Sequence, residues 1–142
     1  MPRQRKRRKE LVEIVLNERK TITKIYHIAD IHIRLRERHE EYKQVFEELY
    51  KYLEKEKSKN GLIVVCGDVV HSKTELSPEC ISITRKFFKE LSEIMPTIVI
   101  LGNHDLNERN EKRMDSLTGI MEETNITNFH LLKNRERIIT EI

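Results

Sequence analysis

Leu62-Ile63-Val64-Val65-Cys66-Gly67-Asp68 is the stretch that decides how this chain folds. Five consecutive apolar residues, three of them β-branched, fit a strand covered on both faces, and such strands belong to parallel sheets. Gly67 then lets the backbone turn sharply, and Asp68 puts a carboxylate where the strand ends. Two other apolar runs end the same way. Lys24 to Ala29 leads into Asp30-Ile31-His32, and Thr97 to Leu101 leads into Gly102-Asn103-His104-Asp105. In an open α/β sheet, ligands bind outside the carboxyl ends of the strands. Three segments far apart in sequence are thus expected to deliver their polar groups to one place.

The segments between these strands read as helices. Tyr42, Val45, Phe46, Leu49 and Leu53 recur at steps of three and four, which predicts an amphipathic helix from Glu40 to about Glu56. Asn60-Gly61 should end it with residues that tolerate a left-handed backbone. Ser77 and Pro78 are a suitable N-cap and first helical residue for a second helix. Ile81, Thr84, Phe87, Phe88, Leu91 and Ile94 form its inner face, and Pro96 stops it. A third, shorter helix should hold Met114, Leu117, Ile120 and Met121. Phe129 to Leu132 and Arg137 to Thr140 read as two further strands joined at Lys133-Asn134. Residues 10 to 20, with Leu11, Val12, Ile14, Val15 and Leu16, fit either a short helix or a strand. The alternation argues for an α/β fold built from βαβ units around a largely parallel sheet.

The chain has 142 residues, 37% hydrophobic and 36% charged. The charged share is well above the usual figure of about 25%, yet the apolar residues are gathered in blocks that can form a core. No apolar run approaches the roughly 20 residues that span a bilayer, and no secretory signal is visible, so no membrane partner is expected. Cys66 and Cys80 lack metal-type spacing, which favours a reduced, intracellular setting, cytoplasmic or nuclear. Six of the 27 basic residues, and no acid, lie in residues 1–9, so the rest of the chain is net acidic. Residues 1–20 are therefore expected to be a basic tail and residues 21–142 the folded domain. The tail suits a phosphate backbone or a nuclear localisation signal; a solvated terminus is the alternative.

Aspartate, histidine and asparagine together suit hard-to-borderline cations such as Mn²⁺, Fe²⁺ or Zn²⁺. In an extended segment, Asp30 and His32 would point to the same side and could grip one ion. The alternative is a surface Asp beside a packing His. The two oxygens of Asp68 could bridge two cations, or the residue could cap the next turn. His71 could face the same cleft or be solvated. Asn103 offers a neutral carbonyl oxygen, His104 a group that titrates near neutral pH, and Asp105 a partner to orient an imidazole. A polar turn is the alternative for that block, less so once all three strand ends carry such residues.

Asp30-x-His32, Gly67-Asp68-x-x-His71 and Gly102-Asn103-His104-Asp105 resemble the first three signature blocks of the calcineurin-like metallophosphoesterases. The wider contexts His27 to Ile33 and Gly67 to Lys73, with Asp115-Ser116-Leu117, resemble the SbcD-type DNA-repair exonucleases. The resemblance covers roughly Lys24 to Lys133. It implies the N-terminal portion of a four-layer α/β/β/α sandwich and a centre of two divalent ions, Mn²⁺ ahead of Fe²⁺ and Zn²⁺. It implies that Asp30 and His32 hold one metal, that Asp68 bridges both, and that Asn103 holds the second. His104 would act on the substrate phosphate or the leaving oxygen, steered by Asp105, with His71 positioning the substrate. It further implies DNA as substrate, an ATPase partner and a homodimer.

One departure matters. The family completes its site with later histidines in a Gly-His-x-His context, and after His104 this sequence has only His130, in an apolar stretch. The domain is therefore expected to be incomplete toward its C-terminus. His27 and His39 do not obviously fill the gap. Three functions compete: a metal-dependent DNA nuclease of repair type, a phosphatase or small phosphodiesterase of the same superfamily, and a non-catalytic nucleic-acid-binding or scaffolding remnant. A downstream Gly-His-x-His would favour the first two.

Overall fold

The computed structural model describes residues 12–13, 22–34, 37–58, 60–70, 77–101, 120–121, 126–132 and 138–139. In chain order the elements are β1 (Val12–Glu13), β2 (Lys24–Ala29), α1 (His39–Glu56), β3 (Gly61–Cys66), α2 (Pro78–Ile94), β4 (Thr97–Ile100), β5 (Phe129–Leu132) and β6 (Ile138–Ile139). Strands β2, β3, β4 and β5 form one sheet in that order, every pair parallel. Strands β1 and β6 form a separate parallel pair. The ambiguous segment around Leu11 thus contributes a strand at Val12–Glu13. The two late strands belong to different sheets, with β5 extending the larger one. The expected α/β class and parallel sheet are what the chain adopts. The basic tail, and Met114 and Leu117 of the expected third helix, lie outside the described residues; Ile120 and Met121 are helical and buried.

Chain order equals strand order, so each βαβ crossover steps the same way across the sheet. Right-handed crossovers then put α1 and α2 on one face. Phe46, Tyr50 and Leu53 of α1 and Phe87, Phe88 and Leu91 of α2 pack there with Ile63, Val65 and Val99 of the strands. The rings of Phe46 and Phe87 meet at 4.5 Å between centroids and join the two helices. Alternate residues of the same strands form a second cluster, in which Leu62, Ile98 and Leu132 are buried. The uninterrupted apolar run in β3 has this cause: β3 is an inner strand, and both of its faces are packed.

The helix ends follow local chemistry. Ser77 Oγ accepts from the Cys80 amide at 3.1 Å, with Pro78 in the first turn. Such a cap contributes about 1 kcal/mol. The first turn of α1 carries Glu40 and Glu41, which suits the positive end of a helix. At its other end the reading of Asn60-Gly61 needs correction. Neither residue is left-handed; α1 closes earlier, where the Lys57 amide bonds the Glu54 carbonyl. Gly61 is instead the first residue of β3. A Cβ there would lie 2.5 Å from Met95 Sδ, so a larger residue would require that flexible side chain to move.

No helix among the described residues is long and apolar enough to cross a membrane.

Candidate metal centre

Because β2, β3 and β4 are parallel, their last residues, Ala29, Cys66 and Ile100, sit in register along one edge of the sheet. The chain leaves that edge through unusual backbone. Asp30 has φ 52°, His32 50°, Gly67 69° and Asp68 50°. Glycine adopts this left-handed region freely; for other residues it costs about 1–2 kcal/mol each. Such conformations persist only where surrounding contacts over-determine them. Here the contacts are visible. The His32 amide donates to the Asp68 carbonyl at 2.8 Å and the Ile33 amide to the Val69 carbonyl at 2.7 Å. Ile33 and Val70 form an isolated parallel bridge, and the Gly67 amide donates to the Ile100 carbonyl at 2.8 Å. Ile33, Val69 and Val70 are fully buried. The two loops therefore pair again beyond the strands and are pinned by an apolar anchor.

This arrangement brings Asp30, His32 and Asp68 together. One ligand atom from each lies within 4.8 Å of the others. His32 Nε2 stands 3.9 Å from Asp30 Oδ1. The proximity has a different cause from the one read in the sequence. Asp30 and His32 are not extended; both take left-handed backbone with the ordinary backbone of Ile31 between them. The Asp30 side chain is largely exposed, whereas those of His32 and Asp68 are half-buried.

Two carboxylates and an imidazole make a donor set of oxygen and nitrogen, suited to Mn²⁺, Fe²⁺ or Zn²⁺. Two carboxylates at such a distance repel by roughly 1 kcal/mol even in water, and a divalent cation reverses the sign of that term. Cys66 ends β3 beside the site. Burial pushes its thiol up, so without a metal it stays protonated at neutral pH. The residues present thus fit a divalent cation.

His71, Asn103, His104 and Asp105 lie outside the described residues. The other histidines are placed. His130 lies in β5 opposite Ile98, and burial pushes its imidazole below the ordinary value. It is a sheet residue, as its apolar context suggested. His27 lies in β2 opposite Val64, and His39 opens α1 with Nε2 at 2.6 Å from the Arg34 carbonyl.

Reading the sequence missed Tyr42. Its hydroxyl donates to the His32 carbonyl at 2.6 Å, and burial pushes its pKa up, so it remains a donor at neutral pH. Its helical spacing marked it only as a core residue. Beside it, a cavity of about 400 Å³ lies between β2 and α1, lined mainly by Ile28, Ile31, Val45, Phe46 and Leu49. None of the three ligand-type residues lines that cavity.

Comparison with known proteins agrees with this geometry. The calcineurin-like phosphoesterase family pattern matches residues 23–138. An uncharacterized protein of Acanthamoeba polyphaga mimivirus is 54% identical over 101 residues. That match takes in 70% of this chain and 8% of the viral protein, so the chain spans a small part of the curated relative's length.

Proposed function

Because this chain belongs to the calcineurin-like phosphoesterase family, we propose that it provides the first half of a two-metal phosphodiesterase site that hydrolyses DNA. The observation that carries the reading is the convergence of Asp30, His32 and Asp68 at the carboxyl edge of a parallel sheet. Asp30 and His32 would hold one cation, and Asp68 would reach both with its two oxygens. Asn103 would hold the second. Divalent cations, when bound, acidify a water and neutralise charge on the phosphoryl oxygens. His104 would face the scissile phosphate and pass a proton to the leaving oxygen, oriented by a hydrogen bond from its other ring nitrogen to Asp105. His71 would steady the phosphate. Mn²⁺ is the metal we favour. Six cations in residues 1–9 support a polyanionic substrate, and the wording around the first two motifs favours a repair-type nuclease.

A second reading is supported by a separate observation. Beyond His104 the 142 residues contain only His130, which sits in β5 and is part-buried. Residues 105–142 hold no Gly-His-x-His. By itself the chain would then bind metal and nucleic acid with little turnover.

Calorimetric titration with Mn²⁺ tests the shared premise. The wild-type chain is expected to bind, and Asp30→Ala and Asp68→Ala are each expected to weaken binding at least tenfold. An affinity that neither substitution changes would remove the metal reading.

A further inference from the structure

From helix α1 the Tyr42 hydroxyl reaches the candidate metal centre, and it meets the backbone there, not a ligand side chain. Tyr42 Oη lies 2.6 Å from the His32 carbonyl oxygen and 3.4 Å from that of Ile31. The ring is fixed from behind by Phe46, at 5.8 Å between centroids. The peptide unit that receives the hydroxyl is held at both ends. Its carbonyl accepts from Tyr42, and its N–H, that of Ile33, donates to the Val69 carbonyl at 2.7 Å. The preceding N–H, that of His32, donates to the Asp68 carbonyl at 2.8 Å. The peptide groups on both sides of the His32 Cα are therefore clamped, one to α1 and both to the segment after β3. Between them His32 sits at φ 50°, a conformation uncommon for any residue but glycine, which these contacts hold in place.

We propose that the Tyr42 hydroxyl is a positioning group for the metal site: it locks the left-handed backbone at His32 and so aims the imidazole at the Asp30 and Asp68 carboxylates. This rests on the metal reading given above. The argument is geometric. In a left-handed turn the direction of the Cα–Cβ bond is set by φ and ψ. Turning the His32–Ile33 peptide toward the extended region would swing the imidazole away from Asp30 and break the bond to Val69. Among the contacts that oppose that rotation, the bond from Tyr42 comes from α1, outside the two loops. Helix α1 thereby transmits its own position, set by packing against α2, to a ligand of the site. Groups that orient a ligand commonly change metal affinity tenfold or more when lost.

Three variants of the full chain separate positioning from packing. Tyr42→Phe keeps the ring against Phe46 and removes only the hydroxyl. Tyr42→Leu removes both. Asp68→Ala reports on the metal site itself. Mn²⁺ affinity is measured by calorimetry, and amide hydrogen exchange at His32 and Ile33 is followed without metal. The expected result is a roughly tenfold loss of Mn²⁺ affinity in Tyr42→Phe. Exchange should quicken at His32 and Ile33 but not in β3, with the thermal midpoint nearly unchanged. Tyr42→Leu should lose no more affinity than Tyr42→Phe. Wild-type affinity in Tyr42→Phe, with loss only in Tyr42→Leu, overturns the proposal and leaves a packing role. If the wild-type chain binds no Mn²⁺ that Asp68→Ala abolishes, the metal reading fails first and this inference fails with it.

Discussion

The backbone amide of His32 donates to the backbone carbonyl of Asp68 at 2.8 Å. Two residues whose side chains form one polar cluster are thus also joined through their main chains. The loops after β2 and β3 cannot separate without breaking that bond and the neighbouring one from Ile33 to Val69. The cluster is consequently prepared by the fold before any ion arrives, and this preparation frames what the chain should do in solution.

Turnover by the 142-residue chain should be near background. On the proposed reading Asp30, His32, Asp68 and Asn103 would supply only part of two coordination shells, and cations held by few protein groups keep several waters and bind weakly. Single-stranded DNA, double-stranded DNA and an aryl phosphodiester should be assayed with excess Mn²⁺. Robust hydrolysis that disappears in Asp68→Ala would show this expectation wrong.

The strain at Asp30 gives a stability signature independent of activity. Its side chain is largely exposed and its φ is 52°. Asp30→Ala keeps a Cβ in the left-handed region, whereas Asp30→Gly does not. Glycine is expected to be the more stable of the two by about 1 kcal/mol, although both should lose Mn²⁺ binding. Urea unfolding at neutral pH measures the difference, and an alanine variant as stable as the glycine variant would show that this turn carries no strain.

Acidification should weaken the fold through His130. Burial pushes its imidazole below the ordinary value, so the unfolded chain takes up a proton at a higher pH than the folded chain does. The contribution is fully present above the unfolded pKa of about 6.5 and is lost as pH falls through that value and then through the folded one. Unfolding free energies at pH 8 and pH 5 should fall more steeply in the wild type than in His130→Gln. Equal slopes would place the pH dependence elsewhere.

The basic run can be tested through its salt dependence. Each phosphate that a cation neutralises adds to the slope of log affinity against log salt. If Arg3, Arg5, Lys6, Arg7, Arg8 and Lys9 contact DNA, deleting residues 2–9 should weaken binding and flatten that slope. An unchanged slope excludes direct phosphate contact by the tail.

What the sequence determined by itself is most of the local elements and their order, the strand at Val12–Glu13 excepted. Lys24 to Ala29 and Leu62 to Cys66 were legible as strands because apolar, β-branched residues cluster there, and Phe129 to Leu132 because it is a short apolar run. Helices α1 and α2 were legible because Phe46, Leu53, Phe87 and Leu91 recur at helical spacing, with Ser77 and Pro78 marking one boundary. The ligand-type residues at the strand ends were legible from their chemistry. Only the tertiary structure decided which strand pairs with which, that β5 joins the main sheet while β6 pairs with β1, and how Asp30 and His32 approach. Local pattern could not supply the left-handed backbone at Asp30, His32 and Asp68, because Asp and His only sometimes enter that region and here contacts distant in sequence hold the two loops. Tyr42 was hidden for the same reason. Its spacing identified a packed ring, whereas its hydroxyl found the His32 carbonyl only once α1 had docked on the sheet.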